Sequence, residues 1–209
     1  MNEKWILFDF DGVIVNSRQS LYAAYISFLE NFGKKGNISE FDRLDGPNIE
    51  EIVHLLKDRY DIKENIETLK NYYKKNIQLN YEKIKLNEGI QETLTNLLRK
   101  KYHLGLVTSA DKVLVNNILT KYSLTNLFEL FVFGNDVKKS KPNSEIYQLA
   151  IKKANVDVTK IIAIEDSENG YISAVNVGIR CIRVNPKERN MFHFLENIWK
   201  NLELLKKAM

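Results

Sequence analysis

The sequence is poor in cysteine and in long apolar runs, and each shortage excludes a class of protein. It has a single cysteine among 209 residues, so neither an internal disulfide nor a cysteine-based metal cluster can form, and a reducing compartment suits the chain. No apolar run approaches the ~18 residues that a membrane-spanning helix needs. The apolar run before Asp9 is only four residues long, Trp5 to Phe8, so we expect no signal peptide.

An excess of charge of one sign is also missing. The sequence has 31 lysines and arginines against 27 acidic residues, a net charge of +4. No basic block is long enough to suggest a nucleic-acid-binding arm. With 44% hydrophobic and 28% charged residues, the composition is that of a globular protein and excludes disordered, collagen-like and coiled-coil chains. We expect a cytoplasmic protein that binds neither nucleic acid nor membrane. The oligomeric state is unknown, and a monomer is compatible with the sequence.

Short apolar runs alternate with helical patterns along most of the chain. Such runs are typical of strands buried on both faces of a parallel sheet, and their alternation with helices fits right-handed βαβ crossovers. The prediction is therefore an α/β fold with a doubly wound, parallel, Rossmann-like sheet. The predicted strands are 5–10, 104–107, 130–133, 161–164 and 181–184, and the predicted helices between them are 88–100, 112–122, 143–154 and 167–177. A last helical pattern runs through Leu195, Ile198, Leu202 and Leu205.

The segment between the first two predicted strands breaks this alternation. Apolar residues recur there at helical spacing, and no convincing strand is present. A run of roughly 70 helical residues is too long for an ordinary crossover connection. We therefore predict an all-helical cap, residues 17–86, inserted after the first strand of an α/β core formed by residues 1–16 and 87–209.

Carboxylates follow two of the predicted strands. In open α/β sheets, ligands bind outside the carboxyl ends of the strands. Asp9 and Asp11 follow the first strand, and Glu165 and Asp166 follow the fourth. Carboxylates gathered so closely would repel one another, and Mg²⁺, which binds carboxylates, phosphate oxygens and water, would relieve that repulsion. Asp166 alone could instead cap the helix that follows it.

Other strand ends offer the donors that a phosphate group needs. Gly12 and its neighbours can supply backbone N–H groups at the start of a turn, and Thr108 and Ser109 supply hydroxyl and amide donors. Lys141 adds a positive charge, although a solvated lysine is the alternative in its lysine-rich neighbourhood. Pro142 directly after Lys141 indicates a loop of defined shape. Carboxylates facing phosphorus can act as nucleophiles and form an aspartyl phosphate.

Four segments, in this order, resemble the signatures of the haloacid dehalogenase superfamily. Residues 9–17 resemble the first signature in its phosphatase form, which has two aspartates, and residues 106–108 resemble the second. Lys141-Pro142 resembles the third, and residues 164–167 with the glycines after them resemble the fourth. The position of the predicted insert is similar to that of the helical cap in the branch of phosphoglycolate phosphatase and β-phosphoglucomutase.

The resemblance implies a role for each matching position. Asp9 would be the nucleophile, and Asp11 would be the general acid and then the general base. A dehalogenase releases halide and has no alkoxide to protonate, so the second aspartate indicates phosphoryl chemistry. Thr108 and Lys141 would hold the phosphoryl oxygens. The implied ligands of Mg²⁺ are Asp9, the main-chain oxygen of Asp11 and Asp166, with Glu165 as a further ligand or a neighbour.

The predicted function is Mg²⁺-dependent hydrolysis of a small phosphorylated metabolite, a sugar or polyol phosphate, through an aspartyl phosphate. A phosphomutase of the β-phosphoglucomutase type is one alternative, but Asp45 and Ile49 do not supply the cation that would grip a second phosphate. A non-catalytic regulator that binds a phosphometabolite is the other alternative, and it would predict a damaged signature. The cap residues expected to select the substrate are Arg43, Asp45, Gly46 and Asn48, and those expected to pack within the cap are Tyr72, Tyr73 and Tyr81.

Overall fold

The computed structural model describes residues 4–184 and shows a five-stranded sheet in which every neighbouring pair is parallel. The spatial order is β3-β2-β1-β4-β5. The predicted helix through Leu195 and Leu205 lies outside the described residues. The strands are β1 (Trp5–Phe8), β2 (His103–Val107), β3 (Leu130–Val132), β4 (Ile161–Glu165) and β5 (Arg180–Arg183).

The strand order places the ends of β1, β2 and β4 side by side. The chain adds β2 and β3 on one side of β1 and then returns to add β4 and β5 on the other. In register, Phe8 at the end of β1 faces Leu106 of β2 and Ile164 of β4. Ligands of open α/β sheets bind at such a reversal of strand order.

Both faces of the sheet are covered by helices. Successive side chains of a strand point to opposite faces, and Ile6 and Phe8 accordingly belong to one buried cluster and Leu7 to another. These apolar layers confirm the predicted doubly wound architecture. The helices beside the sheet are α5 (Ile90–Arg99), α6 (Lys112–Lys121), α7 (Glu145–Ala154) and α8 (Glu168–Val175), numbered after the four helices that precede them in the chain.

The segment between β1 and α5 is helical, as predicted. Apolar and aromatic side chains join its helices, and the rings of Phe28 and Tyr73 lie 5.1 Å apart, edge to face. An Asn48–Glu51 capping box begins the third of these helices, since each residue's side chain accepts the other's backbone N–H. The helices are α1 (Arg18–Glu30), α2 (Ile38–Phe41), α3 (Ile49–Tyr60) and α4 (Ile66–Tyr81), with a 3₁₀ turn at Asp42–Leu44.

Two crossing segments connect these helices to the sheet, and they are hydrogen-bonded to each other. Asn16 N donates to Lys85 O at 3.0 Å, and Asn87 N donates to Ile14 O at 2.9 Å. The Asn87 side chain also donates to the main-chain oxygen of Gly12 at 2.8 Å. The boundaries predicted after residue 16 and before residue 87 fall at this pair of crossings, and the division into two domains stays a prediction.

Some element ends differ from the sequence-based prediction. The first strand ends at Phe8 instead of residue 10, because the chain turns away through Gly12, whose φ is +76°. The predicted helix from residue 143 begins at Glu145, because Asn143 N bonds Ser140 O in a turn and Asn143 Oδ1 accepts Glu145 N. Within residues 4–184, no helix is both long enough and apolar enough to span a membrane.

Candidate active site

Three of the predicted carboxylates meet at the carboxyl ends of β1 and β4. Asp9 directly follows β1, Glu165 ends β4, and Asp166 comes next. Each offers one oxygen within 4.8 Å of the others. Asp9 and Glu165 are buried, with 6% and 0% of their surface exposed. The parallel register of β1 and β4 therefore brings together side chains that lie far apart in the sequence.

Lys141 lies between two of these carboxylates. Its Nζ donates to Asp9 Oδ1 and to Glu165 Oε1, both at 2.7 Å, and to Val107 O at 3.1 Å. Burial alone would lower the pKa of Lys141, but the charges of Asp9 and Glu165 outweigh it and raise the pKa. Lys141 is 3% exposed, so the alternative of a solvated lysine is wrong. A buried, charged ammonium group therefore holds the Asp9 carboxylate.

Glu165 is fixed by partners on one of its oxygens only. Besides Lys141, the Tyr147 hydroxyl on α7 donates to Glu165 Oε1. Burial raises the pKa of Glu165, the charge of Lys141 lowers it, and the charge of Asp9 raises it again. Among the described residues, Glu165 Oε2 has no hydrogen-bond partner. A buried carboxylate oxygen in this state is suited to a ligand from outside the chain.

The backbone of the turn at Gly12 lies against Asp166. A Cβ on Gly12 would lie 1.8 Å from Asp166 Oδ2, and its φ of +76° also favours glycine. Burial first, and then the charge of Asp9, raises the pKa of Asp166 well above its usual range. Asp166 does not cap α8, since the cap is Ser167, whose hydroxyl accepts Gly170 N. The capping alternative for Asp166 is therefore wrong.

Asp11 is held by a residue that the sequence analysis placed elsewhere. The hydroxyl of Tyr81, the last residue of α4, donates to Asp11 Oδ1 at 2.5 Å. The pKa of Asp11 is raised to about 6, because burial, and to a smaller extent the charge of Asp9, raise it more than the Tyr81 hydrogen bond lowers it. Tyr73 is buried in the cap helices as predicted, but Tyr72 is 45% exposed. The Tyr72 ring nevertheless lies edge to face with Phe32 at 6.1 Å. Packing within the cap is thus partial for Tyr72, and for Tyr81 it describes only part of what the side chain does.

Hydroxyl groups follow β2 at the same edge of the sheet. Thr108 is 1% exposed, and its Oγ1 accepts Ala110 N at 3.1 Å. Its hydroxyl proton is still able to donate. The Ser109 hydroxyl is buried and has no hydrogen-bond partner among the described residues. Both hydroxyls are therefore able to bond an oxygen that the chain itself does not supply.

The loop before α3 rests on the sheet side of the site. A Cβ on Gly46 would lie 3.0 Å from Lys141 O and 2.8 Å from Asn169 Cβ. Asn169 Nδ2 donates to Asp45 O at 2.5 Å. The Asp45 side chain keeps contact with solvent, but surrounding protein atoms, and then the charge of Asp9, raise its pKa. Asp45 and Gly46 are therefore close to the site residues.

The other two residues expected to select the substrate are placed differently. Asn48 Oδ1 accepts Glu51 N at 3.0 Å, so this side chain serves the capping box of α3. Arg43 is exposed in the 3₁₀ turn. The spacing of asparagine and glutamate at positions 48 and 51 is a capping-box signature, and it was readable from the sequence.

Comparisons with known proteins agree with this arrangement. The family model of haloacid dehalogenase-like hydrolases matches residues 6–184. The phosphorylated carbohydrates phosphatase of Thermotoga maritima is 30% identical over 178 residues, which cover 85% of this chain and 82% of that protein. The pyrophosphatase PpaX of Bacillus velezensis is 26% identical over 179 residues, 84% of this chain and 80% of that protein.

A solved structure from Thermotoga maritima, described as a β-phosphoglucomutase candidate, superposes with a TM-score of 0.70. It is 27% identical, and the match covers 95% of this chain and 99% of that one. The family match spans most of the chain, and the two relatives that match over similar lengths are named a phosphatase and a pyrophosphatase. The chain therefore belongs to the haloacid dehalogenase-like hydrolases, as a phosphatase in the branch that includes β-phosphoglucomutase-like proteins.

Proposed function

We propose that the protein hydrolyses a small phosphorylated metabolite, a sugar or polyol phosphate, through a phosphoryl group carried on Asp9. The observation that carries this proposal is the pairing of the buried Asp9 carboxylate with Lys141 inside the carboxylate cluster. The pairing leaves an anionic nucleophile beside a fixed cation. In phosphoryl transfer, the protein contributes mainly by positioning the reacting groups and by neutralising the negative charge of the phosphoryl oxygens.

The residues present fit a magnesium ion. Three carboxylates offer oxygens within 4.8 Å of one another, and Glu165 Oε2 has no partner among the described residues. Asp9, Asp166 and the main-chain oxygen of Asp11 would hold the ion, with Glu165 as a further ligand or a neighbour. Mg²⁺ would neutralise negative charge on the phosphoryl oxygens during transfer.

The first half of the reaction uses Asp9 and Asp11. A carboxylate oxygen of Asp9 bonds to phosphorus while the bond from phosphorus to the ester oxygen breaks. Asp11 gives its proton to the leaving oxygen, so the product is an alcohol. The hydroxyls of Thr108 and Ser109 bind the phosphoryl oxygens, and the positive charge of Lys141 beside Asp9 stabilises the negative charge that shifts onto them.

The second half releases phosphate. Asp11, now a carboxylate, takes a proton from water, whose oxygen bonds to phosphorus while the bond to Asp9 breaks. Tyr81 fixes the orientation of Asp11 in both halves, because its hydroxyl donates to Asp11 Oδ1. Since Tyr81 ends α4, the acid–base residue is held by the helical segment. We propose that this segment, residues 17–86, is a cap domain over the core.

The substrate class follows from the charge near Asp45. A second anionic group on the substrate would be repelled there, since Asp45 already interacts unfavourably with Asp9. A neutral sugar or polyol body avoids that repulsion. The phosphatase of Thermotoga maritima, named for phosphorylated carbohydrates, supports the same class. At positions 45 and 49 the loop around Gly46 has Asp45 and Ile49 instead of the cation that would grip a second phosphate, which favours hydrolysis over the mutase reaction.

Phosphate release from a panel of phosphorylated metabolites and pyrophosphate, with Mg²⁺ or with EDTA, tests the proposal. We expect Mg²⁺-dependent release that is fastest for sugar or polyol monophosphates and absent in Asp9→Asn. Release by Asp9→Asn at the wild-type rate would exclude the nucleophile. Binding of these compounds without any turnover would favour the non-catalytic regulator.

A further inference from the structure

The residue before Lys141 is bound by the beginning of α3. Ser140 is 5% exposed. Its N–H donates to Glu51 Oε1 at 3.2 Å, and its Oγ accepts Asn48 N at 3.0 Å. Two hydrogen bonds thus join the helical segment to the loop that carries the ammonium group of the site.

The Glu51 carboxylate serves both sides of this contact. Its Oε2 accepts Asn48 N at 3.0 Å and closes the capping box, while Oε1 accepts Ser140 N. A capping box satisfies donors within its own helix, and it leaves one carboxylate oxygen free. Here that oxygen binds a residue 89 positions further along the chain.

Consecutive amides of the loop are divided between two carboxylates. Glu145 at the start of α7 accepts Lys138 N at 3.2 Å and Lys139 N at 3.0 Å. Glu51 accepts the next amide, that of Ser140. The main chain leading into Lys141 is therefore held from the sheet side by Glu145 and from the cap side by Glu51.

We propose that Glu51 is a positioning residue, whose carboxylate docks the cap helices onto the Ser140 amide and thereby holds Lys141 at Asp9. The proposal rests on the proposed role of Lys141. When the cap is undocked, the Ser140 amide loses its partner, and the segment next to Lys141 keeps only its bonds on the sheet side, to Glu145 and in the turn where Asn143 N donates to Ser140 O. Docking of the cap then completes the charge arrangement that phosphoryl transfer needs.

Glu51→Gln tests this proposal, and Glu50→Gln is the matched control. Glutamine at position 51 retains an oxygen for Asn48 N, but its amide nitrogen cannot accept the Ser140 N–H. Glu50 lies in the same first turn of α3, is 58% exposed at its side chain, and pairs with Lys70 instead. Both changes remove one negative charge beside the same helix end, so the helix dipole is affected alike.

Amide-resolved hydrogen exchange measures the hydrogen bond between Ser140 N and Glu51 without any substrate. We expect exchange at Ser140 to rise about tenfold in Glu51→Gln, the size of one lost hydrogen bond to a charged group. Exchange at Lys138 and Lys139, which Glu145 binds, stays at the wild-type rate. Glu50→Gln leaves all three amides unchanged. Equal exchange at Ser140 in both variants and wild type would overturn the docking role.

Steady-state kinetics measure whether the lost contact affects the function of Lys141. We expect kcat to fall about tenfold in Glu51→Gln, with KM within a factor of about two and with both variants melting well above the assay temperature. Faster Ser140 exchange with an unchanged kcat would overturn the coupling to Lys141. If the wild-type protein turns over no phosphoester, the proposed function fails, whereas the exchange result still decides whether Glu51 docks the cap.

Discussion

Replacing Tyr81 by phenylalanine separates the acid–base role of Asp11 from the rest of the site. The change removes the hydroxyl that donates to Asp11 Oδ1 and retains a ring of the same shape at a position that is 3% exposed. In the transfer to Asp9 the acid is protonated Asp11, and a hydrogen bond between neutral groups contributes about 0.5–1.5 kcal/mol. If the whole contribution orients Asp11 for proton transfer, kcat/KM falls about 2- to 10-fold when it is measured below the Asp11 pKa of about 6, where Asp11 is protonated in both proteins.

The assay compares two leaving groups. An alkyl phosphate releases a strongly basic alkoxide that needs a proton from Asp11, whereas p-nitrophenyl phosphate releases a stable anion that needs none. Because kcat/KM reports only steps up to the first irreversible one, it isolates transfer to Asp9. We expect Tyr81→Phe to lower kcat/KM for the alkyl ester and leave the aryl ester within about twofold of wild type. Equal losses for both esters, or no loss for either, would refute the reasoning.

Two further variants test the charge arrangement and the metal site. Lys141→Met leaves Asp9 and Glu165 buried without their cation, so we expect the free energy of unfolding to fall by about 3–5 kcal/mol. Urea unfolding in EDTA measures this loss, with Lys139→Met, at an exposed neighbouring position, as the control. Equal stability of the two variants would contradict the buried charge arrangement. Gly12→Ala would place a Cβ against the Asp166 carboxylate. We therefore expect the Mg²⁺ concentration for half-maximal activity to rise at least about tenfold. An unchanged Mg²⁺ titration would exclude Asp166 as a ligand.

The gathering of the carboxylates was predictable from the strand pattern of the sequence, whereas Lys141, nine residues after β3, was matched to them by the resemblance to a known family. Parallel strands that alternate with helices place their carboxyl ends on one edge of the sheet, so any polar residue directly after a strand is a candidate. Asp9 and Glu165 lie next to buried apolar runs that identify the strands. The strand pattern therefore identifies, from the sequence alone, the end of the sheet that these two residues share.

The partners of those residues were not predictable in the same way. Tyr81 follows Tyr73 and Ile77 at helical spacing, so periodicity alone assigns all three to one buried helix face. Only the packing of α4 against the turn after β1 brings the Tyr81 hydroxyl to Asp11. The Glu51–Ser140 contact depends on how the cap helices lie on the sheet, which local patterns do not encode.

The most direct test of the account is the site of covalent phosphorylation. Mixing enzyme with substrate and Mg²⁺, quenching in acid within one turnover, and mapping the modified peptide by mass spectrometry locates the phosphoryl group. We expect one phosphoryl group on Asp9 in the wild type and none in Asp9→Asn. A phosphoryl group on another residue, or steady turnover with no labelled peptide at any quench time, would contradict it.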